Sequence, residues 1–309
     1  MKIYNLDTKS NFQEQNLCLT IGNFDGFHKG HQLIIKEIIS NSFSSNLVNA
    51  VMSFSPHPRV FFGYTKDIFN ILTKDEKLRI LKKMGIQIYI DFTFDETLSN
   101  LSAEEFIEQI IIRKLNKKKI IVGSDFKFGK NRKGNLGTLK LLSKKLNFEL
   151  VDISTLNMTN SNEKFSSSYV RELIKEGKFE KVSEMLGRNW SMKGKVIKGD
   201  QRARQINFPT ANMKPQNTIM PKKGVYCVKA IIESQIFKGV SNFGFRPTVN
   251  GSILLLETHL FDFNEDIYGK ELTVEFQAFI RTEQKFENFE ELTKQIHKDI
   301  HTAKKYHQN

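Results

Sequence analysis

Apolar and polar positions follow two different rhythms along this chain. Up to about residue 187, compact apolar runs of strand length alternate with stretches of helical spacing. Leu17–Ile21 and Val48–Phe54 are such runs, bounded by turn residues, and predict buried strands. Thr73 to Met84 predicts a helix: Thr73 and Glu76 form a capping-box pair, Leu78, Leu81 and Met84 share one face, and Gly85 is a stop. Ile86–Ile90 reads as a strand, and Ser102 with Glu105 opens a helix over SAEEFIEQIIIRKL. Ile120–Val122 is a strand, Leu139–Leu146 a helix and Phe148–Ile153 a strand. Alternation of this kind predicts an α/β doubly wound parallel sheet with helices on both faces. Ligands of such sheets bind beyond the carboxyl ends of the strands.

After Gly187 the rhythm shortens. SMKGKVIKG, GVYCVKAII, FKGVSNFG, ILLLETHLFDF and ELTVEFQAFI are short strand-like runs with turn residues between them. Their spacing predicts a small antiparallel barrel or sandwich. Phe289–Lys305 then carries Leu292, Ile296 and Ile300 at helical spacing, which predicts a closing helix. Two domains are therefore expected, 1–187 and 188–309, and a length of 309 residues agrees with two. No basic stretch followed by an apolar core opens the chain, so no signal peptide is expected. No apolar run is long enough to span a membrane. Cys18 and Cys227 sit in apolar strand-like runs and read as buried free thiols in a reducing cytoplasm. The net charge of +13 suggests anionic partners, either nucleic acid or nucleotide phosphates. The basic residues are scattered, with short runs only at 117–119 and 144–145, which argues against a dedicated nucleic-acid surface.

Chemistry concentrates first in IGNFDGFHKGH, residues 21–31, directly after the Leu17–Ile21 strand. A strand, a glycine-rich turn and a helix starting near His31 make a phosphate site, because helix N-terminal N–H groups and the helix dipole favour an anion. Gly22, Gly26 and Gly30 permit close backbone approach. His28 and His31 can donate hydrogen bonds to phosphate oxygens and stabilise the charge that builds as a phosphoanhydride breaks. The same pair at this spacing also suits a metal, or a purely structural turn. SFSPHP (53–58), VGSDFKFGKNRKG (122–134) and FSSSYVRELI (165–174) add a rigid loop, an acid with aromatics and cations, and three hydroxyls before a helix. Arg171 suits a polyphosphate. Taken singly, these stretches also read as a turn, a packed aromatic pair, and an N-cap with a solvated arginine.

GNFDGFHKGH, VGSDFKFGKNRKG and FSSSYVR together resemble the FAD synthetase module of bacterial bifunctional riboflavin kinase/FAD synthetases, within the HxGH nucleotidyltransferase superfamily, a Rossmann-like fold. The resemblance implies adenylyl transfer from ATP to the phosphate of FMN, giving FAD and pyrophosphate. It implies that His28 and His31 stabilise the α- and β-phosphates in the transition state. Gly22, Asn23, Asp25 and Gly30 would shape the phosphate-binding turn, with Asn23 and Asp25 helping to order Mg²⁺ or ribose. Ser166, Ser167, Ser168 and Arg171 would hold the triphosphate, with Phe165 and Ser168 replacing the family's Ile and Thr. Asp125, Phe126, Phe128 and Phe62 are flavin-binding candidates, the aromatics by stacking, with core packing as the alternative for each ring.

GKVIKGDQRARQINFPTANM (194–213) places the Thr210 hydroxyl and the Asn212 amide two residues apart after a proline. Both are hard oxygen donors suited to Mg²⁺ on nucleotide phosphates, and a plain turn is the alternative. With GVYCVKA, GVSNFGFRPTV, LETHLFDF and IYGKELTVEF it resembles the riboflavin kinase module, in the same order. That implies phosphoryl transfer from ATP to the 5′-hydroxyl of riboflavin, giving FMN and ADP. Glu257 would be the general base, its basicity raised by flanking Leu254, Leu255 and Leu256; a solvent-facing strand residue is the alternative. Ala203 and Asn207 stand where the family has glycine, a departure that bears on kinase efficiency. Loss of function in one module, the kinase if either given Ala203, is the serious alternative, and two other readings are weaker. HKGH with KFSSS echoes aminoacyl-tRNA synthetases, although the second lysine of that signature is missing. A non-catalytic flavin- or RNA-binding protein on an enzyme scaffold is the other.

Overall fold

The structure is a computed structural model that describes residues 1–65, 68–153, 165–198, 208–215, 217–248 and 251–308. The chain folds as two compact units, residues 1–67 with 74–165 and residues 68–73 with 166–309.

The first unit is built on six parallel strands: β1 (Lys2–Leu6), β2 (Leu17–Ile21), β3 (Val48–Ser55), β4 (Ile88–Thr93), β5 (Lys117–Val122) and β6 (Glu149–Asp152). Between them run α1 (Lys29–Ser44), the short α2 (Pro58–Phe61), α3 (Lys74–Lys83), α4 (Glu96–Asn100), α5 (Ala103–Glu105) and α6 (Leu136–Lys145). The strand order is β1-β4-β3-β2-β5-β6. The direction of winding reverses between β2 and β5, and such a switch point opens a crevice at the carboxyl ends of the two strands. β2 is buried along its whole length, as its run of apolar residues with the single hydroxyl of Thr20 favours. Ser102 and Glu105 make the expected reciprocal capping box. The helix after α5 departs from expectation: Phe106–Lys114 winds as a π-helix, and Leu115 donates to the carbonyl of Ile110. Its buried positions, Phe106, Ile107, Ile110, Ile111 and Leu115, recur at four to five residues, and the wider turn keeps them on one face.

The second unit is an antiparallel sheet of β7 (Trp190–Lys195), β8 (Ala211–Met213), β9 (Gly224–Ile232), β10 (Gln235–Thr248), β11 (Gly251–Leu260) and β12 (Glu271–Arg281), in the order β7-β12-β9-β10-β11-β8. The two ends of the sheet meet where the Ile197 N–H donates to the Asn212 carbonyl at 2.8 Å, so the sheet curls into a barrel-like form. A C-terminal helix, α9 (Phe289–Tyr306), is pinned to β12 by the partly buried ion pair of Arg281 with the buried Asp299 at 2.7 Å. The units divide before Ser166, whereas the sequence pattern kept residues 1–187 together. The reason is packing. α7 (Ser167–Glu176) and α8 (Phe179–Leu186) bury their apolar faces in the second unit, where the Phe179 ring lies 5.7 Å from Trp190 and 5.0 Å from Phe276. Segment 68–73 joins the same unit through the Trp190 indole N–H, which donates to the Ile71 carbonyl at 2.9 Å.

Candidate functional site

In the first unit the turn between β2 and α1 is held at its start by the Gly22 N–H, which donates to Met52 of β3 at 3.0 Å. Phe24, Gly26 and Phe27 then take left-handed conformations, at φ 48, 79 and 50 degrees. Such strain in two phenylalanines persists only where the surroundings enforce it, and both rings are buried. The turn delivers His28 to the N-cap of α1, where Nδ1 accepts the N–H of His31 at 3.3 Å. An accepting Nδ1 leaves the neutral ring's proton on Nε2, so His28 presents one N–H donor of defined position. The His31 ring stacks on it with centroids 3.7 Å apart. α1 therefore begins at Lys29, two residues before the expected start at His31. A Cβ on Gly30 would lie 3.2 Å from His28 Nδ1, so the close His28 ring favours glycine there.

The floor of this turn was not legible in the sequence. Lys77 of α3 reaches in and donates to the Asn23 carbonyl at 3.2 Å and to Ser53 Oγ at 3.1 Å. Burial pushes the Lys77 ammonium below the usual lysine range, against the opposing pull of Asp25 and Asp91. Asp91 in turn pairs with Lys74. Asn23 Oδ1 is buried without a hydrogen-bond partner among the described residues. An orphaned carbonyl oxygen of this kind costs about 1–3 kcal/mol unless a ligand satisfies it. Lys77 sits in an amphipathic helix whose other lysines look the same in sequence, so no local signal marked it.

Asp125 lies just past β5, on the opposite side of the switch point, and is exposed. Phe128 is 6% exposed, forms a two-residue bridge with Gly134 and stacks on Phe126 at 5.2 Å, so the packing alternative describes its ring. Phe126 packs partly buried on the same core. Phe62 is half exposed, in an aromatic group with Phe61, Tyr64 and Phe94.

Ser166, Ser167, Ser168 and Arg171 belong to the second unit. Ser166 caps α7, accepting the Tyr169 N–H at 3.2 Å. Arg171 is buried, not solvated: Nε donates to the Phe69 carbonyl at 3.0 Å and the guanidinium lies 3.6 Å from the Phe69 ring centre.

The second constellation forms a row across the sheet. Asn212 of β8, Glu257 of β11 and Asn242 of β10 stand opposite one another in register and so share a face. Asn212 Nδ2 turns to the Thr210 carbonyl, and its Oδ1 is buried with no hydrogen-bond partner among the described residues. The preceding loop is anchored by His259, whose Nδ1 lies 2.9 Å from the Pro209 carbonyl. A hydroxyl and an orphaned amide oxygen are hard donors that fit Mg²⁺. Of the three leucines expected to surround Glu257, only the buried Leu255 shares its face. Leu254 and Leu256 project to the opposite face, as strand alternation requires, and Arg246 of β10 takes Glu257 Oε2 through Nε at 2.5 Å and through a terminal nitrogen. Arg246 belongs to a motif noted in the sequence, but its partner was not evident there. Ala203 and Asn207 lie outside the described residues.

Known proteins resemble both halves. The FAD synthetase family matches residues 10–169 and the riboflavin kinase family residues 186–307. A bifunctional riboflavin kinase/FMN adenylyltransferase of Haemophilus influenzae is 39% identical over 293 residues, 94% of each chain. Proteins of the same description from Bacillus subtilis and Escherichia coli are 36% and 34% identical, over 96% and 98% of this chain and 94% and 96% of their own. A crystal structure described as a macrolide-efflux protein of Streptococcus pneumoniae superposes with a TM-score of 0.83 at 29% identity, covering 96% of this chain and 97% of that one. Among the described residues here, no helix is long and apolar enough to cross a membrane.

Proposed function

Because this chain belongs to the bifunctional riboflavin kinase/FMN adenylyltransferase family, with both modules present, we propose that its two reactions run on two separate sets of residues. The protein uses ATP to phosphorylate riboflavin to FMN and to adenylylate FMN to FAD. We assign the adenylyl transfer to residues 1–187 and the kinase to 188–309.

In the adenylyl transfer a phosphate oxygen of FMN attacks the α-phosphorus of ATP, and the bond to the β-phosphate oxygen breaks, releasing pyrophosphate. Negative charge grows on the α-phosphoryl oxygens and on the leaving group. The Nε2–H of His28, the ring of His31 and the N-terminus of α1 stabilise it. The observation that carries this assignment is the N-cap bond from the His31 N–H to His28 Nδ1, which fixes where the His28 proton sits. Asn23 and Asp25 complete the turn. Ser166, Ser167, Ser168 and Arg171 carry the triphosphate-binding pattern. Phe62, Phe126 and Asp125 are the flavin candidates, with Phe128 supporting Phe126 from the core.

In the kinase, Glu257 takes the proton of the riboflavin 5′-hydroxyl as its oxygen attacks the γ-phosphorus, and ADP leaves. Thr210 and Asn212 would hold Mg²⁺, which neutralises phosphate charge when bound. The buried orphan Oδ1 of Asn212 supports that placement. Two buried free thiols suit a reducing cytoplasm.

The test separates the sites. Purified protein with riboflavin, ATP and Mg²⁺ should yield FMN and then FAD by chromatography. His28→Ala should lower FAD formation steeply and spare FMN formation, and Glu257→Gln should do the reverse. If either variant slows both reactions equally, the two-site assignment is wrong.

A further inference from the structure

The kinase face carries two charged side chains beyond the residues assigned above. Gly244 and Arg246 stand two residues apart on β10, on the face that Glu257 presents from β11. Two nitrogens of Arg246 converge on one oxygen of Glu257, Oε2. A third, Nη1, lies 3.8 Å from Oε1 of Glu283, just beyond β12. Glu283 can occupy that place because position 244 has no side chain. A Cβ there would fall 1.8 Å from Glu283 Oε1 and 2.6 Å from Oε2. Gly244 is not among the glycines with positive φ, so its backbone does not itself call for glycine. The nearest obstacle to a side chain at 244 is the carboxylate of Glu283.

We propose that Glu283 and Arg246 form a positioning relay for the kinase base. Glu283 holds the guanidinium, the guanidinium holds Oε2 of Glu257, and Oε1 is left to face the riboflavin 5′-hydroxyl. A planar guanidinium bonded through two nitrogens to Glu257 Oε2, with the Glu283 charge 3.8 Å away on its other side, constrains the carboxylate plane, which a free glutamate leaves to a soft terminal torsion. Proton transfer depends on that alignment, and a misplacement of about 1 Å costs about a hundredfold in rate. The inference rests on Glu257 being the base.

The experiment measures kcat and KM for riboflavin at saturating ATP and Mg²⁺, using the full chain. Gly244→Ala is informative because the displaced atoms are the end of a flexible side chain, so the variant moves Glu283 and leaves the sheet in place. Gly244→Ala and Glu283→Gln should each lower kcat about tenfold with KM nearly constant, and the double variant should lose no more than either alone, since both cut one contact. Arg246→Gln should lose about a hundredfold, and Arg246→Lys should recover part of it. Wild-type kcat in Gly244→Ala and Glu283→Gln overturns the relay, and so does a double variant whose losses multiply to about a hundredfold. Glu257→Gln separates the two claims. If it abolishes FMN formation while the other variants remain at wild type, only the relay fails. If it retains full kcat, the assignment of Glu257 as base fails and the relay with it.

Discussion

His28 holds a helix and, in the proposed mechanism, a transition state, and two substitutions separate these roles. His28→Ala removes the Nδ1 acceptor that caps α1 and the Nε2–H donor together. His28→Asn restores a good cap, because asparagine accepts from the same backbone N–H groups, but it brings no donor to the place of Nε2. The cap bond is long, 3.3 Å, so its loss belongs at the lower end of the usual range, about 0.5–1 kcal/mol. That corresponds to a fall of about 1–4 °C in the melting temperature of a unit this size. Losing a donor aimed at developing charge costs about 3–4 kcal/mol of transition-state stabilisation, or about 10²–10³ in kcat. Calorimetry should therefore show His28→Asn near wild type and His28→Ala below it, while chromatography of FAD formed from FMN shows both reduced about 10²–10³-fold. FMN formation from riboflavin by the same preparations is the internal control. If His28→Asn makes FAD at more than about a tenth of the wild-type rate, His28 serves the helix only and the proposed catalytic role fails.

Other outcomes follow from the same geometry. Glu257→Gln should lower FMN formation about 10²–10⁴-fold and leave FAD formation from supplied FMN intact. Asn212→Leu should raise the Mg²⁺ needed for half-maximal FMN formation about tenfold, with the titration for FAD formation unmoved; equal shifts in both would remove Asn212 from the kinase metal site. Burial pushes the Cys18 thiol up to about 11 and the Cys227 thiol up to about 12, so at pH 8 thiolate fractions of about 10⁻³ and 10⁻⁴ should make alkylation slow until urea unfolds the chain. Rapid labelling of the native protein, read by mass spectrometry, would contradict their burial. Trp190→Ala removes a ring packed among Phe179 and Phe276 together with the N–H bond to Ile71, and should destabilise the second unit by about 3–5 kcal/mol in calorimetry.

Elements with a strong local rhythm were legible in sequence: β2 and β9 coincide with their apolar runs, and α9 with its spaced leucine and isoleucines. β1 and β8 were not read as strands. β1 pairs on one side only, at the edge of its sheet, and β8 is three residues inside a stretch that reads as a turn. Among the candidate site residues, His28 and His31 stood out by the chemistry of a glycine-rich turn opening a helix, whereas Thr210, Asn212 and Glu257 stood out only in the company of the motifs that resemble the riboflavin kinase module. Lys77, Arg246 and Glu283 did not. Each resembles an ordinary surface charge in its own neighbourhood, and its partner lies on a different element.

The sequence by itself determined the order of elements, the two rhythms and the motifs, because periodicity and turn chemistry are local properties of a few successive residues. Tertiary structure decided what those motifs touch. Pairing between β8, β10 and β11 placed Glu257 beside Asn212 and turned Leu254 and Leu256 away, leaving Leu255 on its face. Packing of α7 against residues 68–73 buried an arginine that alone reads as solvated. The absence of a Cβ at Gly244 left room for a carboxylate from another strand's end. Such contacts join residues far apart along the chain, and their partners are selected by burial and hydrogen bonding in the folded whole, which no short stretch encodes.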